Sequence, residues 1–341
     1  MSFDLIIVEV NLSAIELSRR IIEACHGRAA TYSEGHIGDY QSLSPTDQVS
    51  FLKTLNEACM NFVYWERYVP FYQSLTSKPV EYLPYPYMLE LAQARAIPIK
   101  ERPALAAIPT GLAGGTRNGL ASLAVAKRLQ SEGLIAHTAC WLEGDSFDED
   151  RQAVGYFMHG TPPPLGTKQV RFHWRKWLLE HRVDYRSLLW LKGRLQSSHN
   201  QPHGADMSQL HGTTFYRRGG WLSFIGRLAA SRVVIDLNNR ETVGRLALDC
   251  AALKIACIAA NRSDMQTRLF PRTSLADSWD VDEAFQIAKR CLGDDEFYYQ
   301  VVSYAAEAAQ QFDAPAFRRR FEDIIARHPE IIPREPHRAR P

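Results

Sequence analysis

Two acids bracket a glycine in the stretch ETVGRLALD, which runs from Glu241 to Asp249. It follows the apolar run RVVIDL, so the pair falls where a buried strand hands over to a helix. Carboxylates accept hydrogen bonds from hydroxyls, and Gly244 permits a tight bend between the two. Glu241 is expected in the loop and Asp249 about one turn into the helix, so they stand at different heights rather than on one helix face. That suits a ligand with hydroxyls at two levels, such as a nucleotide sugar with its hexose beside the loop and its ribose beside the helix. A plainer account is also open, with Glu241 facing the helix dipole and Asp249 solvated.

Three other stretches carry chemistry. TGLAGGTRNG lies between a strand-like run and a helical one, and a helix N-terminus approached through glycines offers unpaired N–H groups to a phosphate. Its Gly111, Gly114 and Gly115 fit a mobile turn as well. The loop TYSEGHIGDY holds Glu34, His36 and Asp39 among two glycines, as a site loop or an ordinary polar surface loop would. Residues 168–194 contain eight Lys or Arg, two acids and five aromatics. Such a mixture can grip a nucleic-acid backbone while rings stack on bases. It can equally be an amphipathic helix with Trp177, Leu178, Tyr185, Leu188 and Leu189 in the core.

The rest of the chain must position these groups. At 341 residues, with 45% hydrophobic and 23% charged, it is globular material of a length that suggests two domains. A net charge of +2 gives no global attraction to polyanions, so any such attraction must be local. Six scattered cysteines without C-x-x-C or zinc spacing read as reduced thiols of a cytoplasmic protein. The N-terminal run LIIVEV is too short to span a membrane. Strands are expected at residues 5–10, at NFVYW and KPVEYLPY, at 104–108, and within LIAHTACWL, RVVIDL and IACIAAN. Helices are expected from 15 to 27, 44 to 59 and 120 to 133, over WLSFIGRLAAS and VGRLALDCAALK, and from 281 to 292 and 294 to 311. APAFRRRFEDIIARH is amphipathic through Phe317, Phe321 and Ile324. Strands alternating with helices imply parallel sheets. Residues 143–220 give no clear pattern.

With its glycine in place and the sequence CAALKIACIAANRSD behind it, E-T-V-G-R-L-A-L-D resembles the Glu-x7-Glu motif of retaining GT-B glycosyltransferases, commonly E-G-F-G-x-x-x-x-E. The likeness runs from about residue 100 to 312. It implies an α/β fold of two Rossmann-like domains whose parallel sheets face across a cleft. The expected division is a reduced N-terminal domain on the acceptor side (1–98), a nucleotide-sugar domain (99–312), a C-terminal helix (313–330) and a disordered tail (331–341). The N-terminal domain holds about half the usual strands and lacks the family's glycine-rich first turn. Asp also replaces the second Glu, which shortens its reach by a methylene.

In this resemblance Glu241 binds donor-sugar hydroxyls and Asp249 the ribose. Arg117 and Thr116, with Gly115, meet the diphosphate, and Thr242 and Gly244 complete the donor turn. His36 and Glu34 face the donor from the other domain, as catalytic or sugar-holding groups. The donor would be a nucleotide-diphosphate sugar, UDP-linked for one, and the acceptor a hydroxyl. No cofactor or metal is implied. The basic, aromatic segment, with Arg171, Arg175 and Lys176, adds hydroxymethylated pyrimidine in DNA as an acceptor class, as in phage-type DNA glycosyltransferases. A polysaccharide, a protein or a small metabolite stays open beside it, as does a noncatalytic nucleotide- or nucleic-acid-binding protein. A Rossmann dehydrogenase fits less well, because GLAGGTRNG has the wrong glycine spacing and no acid ends the next strand at Trp141 or Leu142.

Overall fold

The computed structural model describes residues 5–10, 15–33, 40, 43–109, 119–142, 158, 208–210, 212–217, 219–239 and 241–331. Two sheets organise them. The first is four-stranded and wholly parallel, in the order β1 (Ile6–Val10), β2 (Ala29–Ser33), β3 (Met60–Val63), β4 (Val80–Tyr82). Helices α1 (Ile15–Ala24), α2 (Pro45–Glu57) and α3 (Val69–Leu75) make the crossovers. Ser44 caps α2 by accepting from the Asp47 N–H, and Pro45 follows it at the position where a missing N–H costs nothing. Strand β2 includes Thr31 and Tyr32, which the sequence placed in a polar loop. The reason is a buried partner: the Thr31 hydroxyl donates to Asn61 Oδ1 at 2.6 Å, and Asn61 Nδ2 donates to the Leu55 carbonyl at 3.0 Å. Once paired, a hydroxyl can enter a strand core at little cost.

The second sheet has the order β11-β10-β9-β5-β6-β8-β7. Its strands are β5 (Leu105–Ile108), β6 (His137–Leu142), β7 (Ser208–Leu210), β8 (Thr213–Arg217), β9 (Val233–Asp236), β10 (Ala256–Ala260) and β11 (Ser274–Leu275). All pair in parallel except β7, which lies antiparallel on β8. The chain moves outward from β5 to β6 and β8, then crosses back to β9 on the other side of β5. Strand order therefore reverses between β5 and β9. In an open parallel sheet the crevice beyond the carboxyl ends at such a reversal is where ligands bind.

Around this sheet lie α5 (Gly119–Ser131), α6 (Trp221–Leu228), α7 (Arg245–Leu253), α8 (Asp264–Leu269), α9 (Val281–Gly293) and α10 (Asp295–Ala308), with α4 (Leu89–Gln93) in the segment that joins the sheets. Helix α7 is buried at every position from Ala247 to Leu253, because it packs against α4 and α10 as well as beside β10. A helix enclosed all round should be apolar all round. Asp249 is the exception.

The last described helix, α11 (Ala314–Arg327), returns to the first sheet. Its Ile324 is buried with Met60, Phe62 and Leu83, and Phe317 and Phe321 pack against the same cluster. The apolar face foreseen for this segment thus completes the core of the N-terminal domain from the far end of the chain. Among the described residues, no helix is long and apolar enough to cross a membrane. Truncating Ile324 to Ala should cost about 2–4 kcal/mol, as emptied aliphatic sites do. Urea unfolding would show it as a lower midpoint; a loss below about 1 kcal/mol would mean that α11 is not part of that core.

Candidate functional site

The segment after β9 drops into the crevice between β5 and β9. Pro109 beyond β5, Trp141 on β6, Asp236 at the end of β9, Trp221 and Phe224 on α6, and the turn 242–246 line one open cleft of about 480 Å³, with Asp249 at its wall. Gly244 adopts a left-handed backbone, φ +83°, and starts α7. A side chain there would place its Cβ 2.4 Å from Ser263 Oγ and 2.8 Å from Met265 Cβ, so only glycine fits. The Thr242 N–H donates to the Arg262 carbonyl at 3.1 Å, docking the turn on the loop after β10. At the other end, Arg102 donates to the carbonyls of Leu253 at 2.5 Å and Lys254 at 2.7 Å. A cation on the last carbonyls satisfies groups the helix leaves open and complements its dipole. Both ends of α7 are therefore fixed.

Between them, Asp249 is 3% exposed. Its Oδ1 accepts from the Tyr87 hydroxyl at 2.7 Å and from Trp221 Nε1 at 2.8 Å. Burial raises its pKa to about 6, while the Tyr87 and Trp221 hydrogen bonds and nearby Arg245 pull the other way. Burial and the neighbouring carboxylate also keep the Tyr87 phenol protonated, well above its ordinary range. Arg245 lies over the Trp221 ring, 5.2 Å from its centroid. The solvated position open to Asp249 on sequence grounds is thus replaced by a buried one with two fixed donors.

Glu241 comes just before this turn, its side chain 23% exposed, and meets the N-terminal domain. Arg67 Nη2 donates to its Oε1 at 2.7 Å, and the Tyr68 hydroxyl donates to Oε2. Arg67 is held over the faces of Trp65, at 4.4 Å, and Tyr68, at 5.2 Å, whose rings stack in parallel. The Tyr68 phenol is pushed above its usual pKa by burial and by Glu241. One acid of the pair is thus anchored in the cleft wall, and the other is paired with the N-terminal domain.

Of the residues singled out by sequence, Thr242, Gly244 and Asp249 line this cleft, while Glu241, next to Thr242, faces Arg67 and Tyr68 instead. Gly115, Thr116 and Arg117, the loop residues Glu34 and His36, and Arg171, Arg175 and Lys176 lie outside the described residues. The sequence reading missed Tyr87, Trp221, Arg67 and Tyr68. No spacing could have revealed them: Tyr87 is 162 positions from Asp249, and Arg67 is 174 from Glu241.

Sequence comparison returns no matching family and no curated relative. Structural comparison does return relatives of the fold. The N-terminal domain of Candida albicans trehalose-6-phosphate phosphatase superposes with a TM-score of 0.61 at 10% identity, over 92% of this chain and 68% of that one. Sucrose-phosphate synthase from Thermosynechococcus elongatus gives 0.57 at 15% identity, over 96% and 74%. Anabaena HepE, in complex with UDP and glucose, gives 0.60 at 11%, over 95% and 78%. At such identities the likeness is one of fold. That fold is GT-B: two Rossmann-like domains whose parallel sheets face across a cleft.

The Asp249 environment has a sign that can be checked. A carboxyl whose pKa is raised on folding, here from 3.8 to about 6, holds its proton more tightly in the folded state. Its contribution to stability is complete below about pH 4 and is lost as pH rises through about 6. Asn at this position can accept the same two hydrogen bonds without a charge to bury. Asp249→Asn should therefore be about 1–3 kcal/mol more stable than wild type at pH 7, with the gap closing toward pH 4. Parallel stability-against-pH curves from denaturant unfolding would sink this.

Proposed function

We propose that the chain transfers a sugar from a nucleotide-diphosphate sugar to a hydroxyl acceptor. The observation that supports this reading is the cleft at the strand-order reversal: Asp249 stands at its wall, and the turn from Thr242 to Leu246 that lines it follows directly on Glu241. Glu241 takes the donor-sugar hydroxyls, exchanging its hydrogen bonds from Arg67 and Tyr68 for theirs. Asp249 keeps Oδ1 on Tyr87 and Trp221 and accepts from the ribose with Oδ2. Thr242 and Gly244 form the turn that sets the distance between them.

Glycosyl transfer builds positive charge at the anomeric carbon and negative charge on the departing diphosphate. Helix α5 begins just beyond the carboxyl end of β5, and a helix N-terminus at that edge favours anions. Arg117 and Thr116, with Gly115, precede it in sequence and are assigned to the diphosphate, where charge-assisted hydrogen bonds gain strength as the bond breaks. We assign His36 and Glu34 to the N-terminal side of the same reaction. Retention follows the motif resemblance, the leaving phosphate taking the acceptor proton, so that no strong base is needed. With diphosphate charge met by side chains and a helix end, the reaction needs no metal. The DNA-acceptor reading rests on the composition of residues 168–194, with Arg171, Arg175 and Lys176 as backbone contacts.

UDP is the first nucleotide to test, since HepE, of the same fold, holds UDP and glucose. In a thermal-shift panel of UDP, GDP, ADP and their sugars, at least one should raise Tm; no response to any would defeat the proposal. Glu241→Ala should keep the wild-type fold but lose about 10- to 100-fold or more in donor turnover, the worth of a charged hydrogen bond or two. Chelation with EDTA should leave turnover unchanged; a loss restored by a divalent cation would assign the diphosphate to a metal instead. Hydroxymethylated DNA, a sugar phosphate and a polysaccharide then serve as acceptor arms, with the anomeric configuration of the product read by NMR.

A further inference from the structure

A second pocket, of about 530 Å³, lies where the two domains and α11 meet. Four arginines line it: Arg268 from α8, and Arg319, Arg320 and Arg327 from α11. Two of them are answered. Arg268 pairs with Glu66 and Asp264, and Arg327 pairs with Glu81 at 2.9 Å. Glu81 is engaged further by His328 Nε2 at 2.8 Å. Arg319 and Arg320 form no ion pair among the described residues, although Asp323 also lines the pocket.

Two donors here are closed off from water with nothing to give to. Arg320 Nη1 and the Tyr82 hydroxyl are both buried without a hydrogen-bond partner among the described residues. They are neighbours: Arg320 lies over the Tyr82 ring, 5.2 Å from its centroid, and Arg268 is 5.6 Å from the same ring. Burial raises the Tyr82 phenol to about 12, so it keeps its proton and remains a donor. A buried unpaired donor costs free energy in every molecule that folds, and two in one cationic pocket share one remedy, an acceptor that is also an anion.

We propose that this pocket binds a small oxyanion, a phosphate or phosphate monoester, distinct from the donor in the main cleft. Arg319 and Arg320, which have no ion pair among the described residues, supply the positive charge, and Arg320 and Tyr82 turn their unpaired donors onto its oxygens. Guanidinium groups suit phosphate because their forked N–H groups match its oxygens two at a time. Glu66, Glu81, Tyr82, Arg268 and α11 come from distant parts of the chain, so the bound anion ties the two domains together.

The test uses the full chain and inorganic phosphate, titrated by calorimetry and thermal shift against chloride of equal ionic strength. Wild type should show saturable binding, weakened about tenfold or more in Arg320→Gln and in Arg319→Gln and unchanged in Glu241→Gln. Arg319 is exposed, so its variant reports even if Arg320→Gln folds poorly. Phosphate that does not saturate, or arginine variants that titrate like wild type, would overturn the site, as would a loss confined to Glu241→Gln. The UDP response of the same samples is read separately. If UDP fails while the arginine-dependent phosphate binding persists, the donor reading falls and this one stands.

Discussion

A carboxylate in the middle of an enclosed helix must be hydrogen-bonded from outside that helix, since the backbone around it is already paired. For Asp249 the donors come from Trp221 on α6 and from Tyr87 in the segment joining the two sheets. Removing a donor would leave buried charge uncompensated, which ranks among the costlier defects a core can carry. Tyr87 is therefore fixed by the site it serves. Its own N–H donates to the Phe312 carbonyl at 3.0 Å, and it bridges to Asp313, the residue that caps α11. Both crossings of the chain between domains thus meet at one tyrosine. The wall of the cleft and the crossings between the two sheets are a single hydrogen-bonded unit.

The other interdomain contacts are of a different kind. Glu66, Arg67 and Tyr68 reach across to Arg268 and Glu241. Arg67 is 45% exposed, and ion pairs so open to water contribute little to stability and are screened by salt. A carboxylate held by partners that it can release at small cost is able to exchange them for hydroxyls of a ligand. The domains are thus joined by a buried contact at Tyr87 and by a more exposed one at Glu241.

Local pattern carried the sequence reading a long way. The strand, turn and helix around ETVGRLALD were legible because a buried strand, a glycine and an apolar helix each leave a short-range signature. The amphipathic α11 was legible from Phe317, Phe321 and Ile324, but its destination was not, because periodicity gives a face and not a partner. β2 was hidden by Thr31, whose partner Asn61 lies thirty positions away. The helices α3, α4 and α8, at five to seven residues, are too short to show two turns of a repeat. The partners of both acids were invisible for the same reason as that of Thr31: a hydrogen bond closes through space, and spacing along the chain does not record it.

The eight-residue interval acquires a physical meaning from α7. Had the helix been free to slide or fray, the distance between Glu241 and Asp249 would be a weak constraint. It is not free, because Gly244 is pressed against Ser263 and Met265 at its start and Arg102 holds the Leu253 and Lys254 carbonyls at its end. Any residue with a Cβ at 244 would push the turn off the loop that supports it, and Glu241 would move with the turn. A core selected for stability alone would put an apolar residue at 249 and leave Tyr87 and Trp221 to find other partners. That it instead keeps an acid at the one buried polar position of α7, lining a preformed cleft, is the arrangement expected where binding takes precedence over stability.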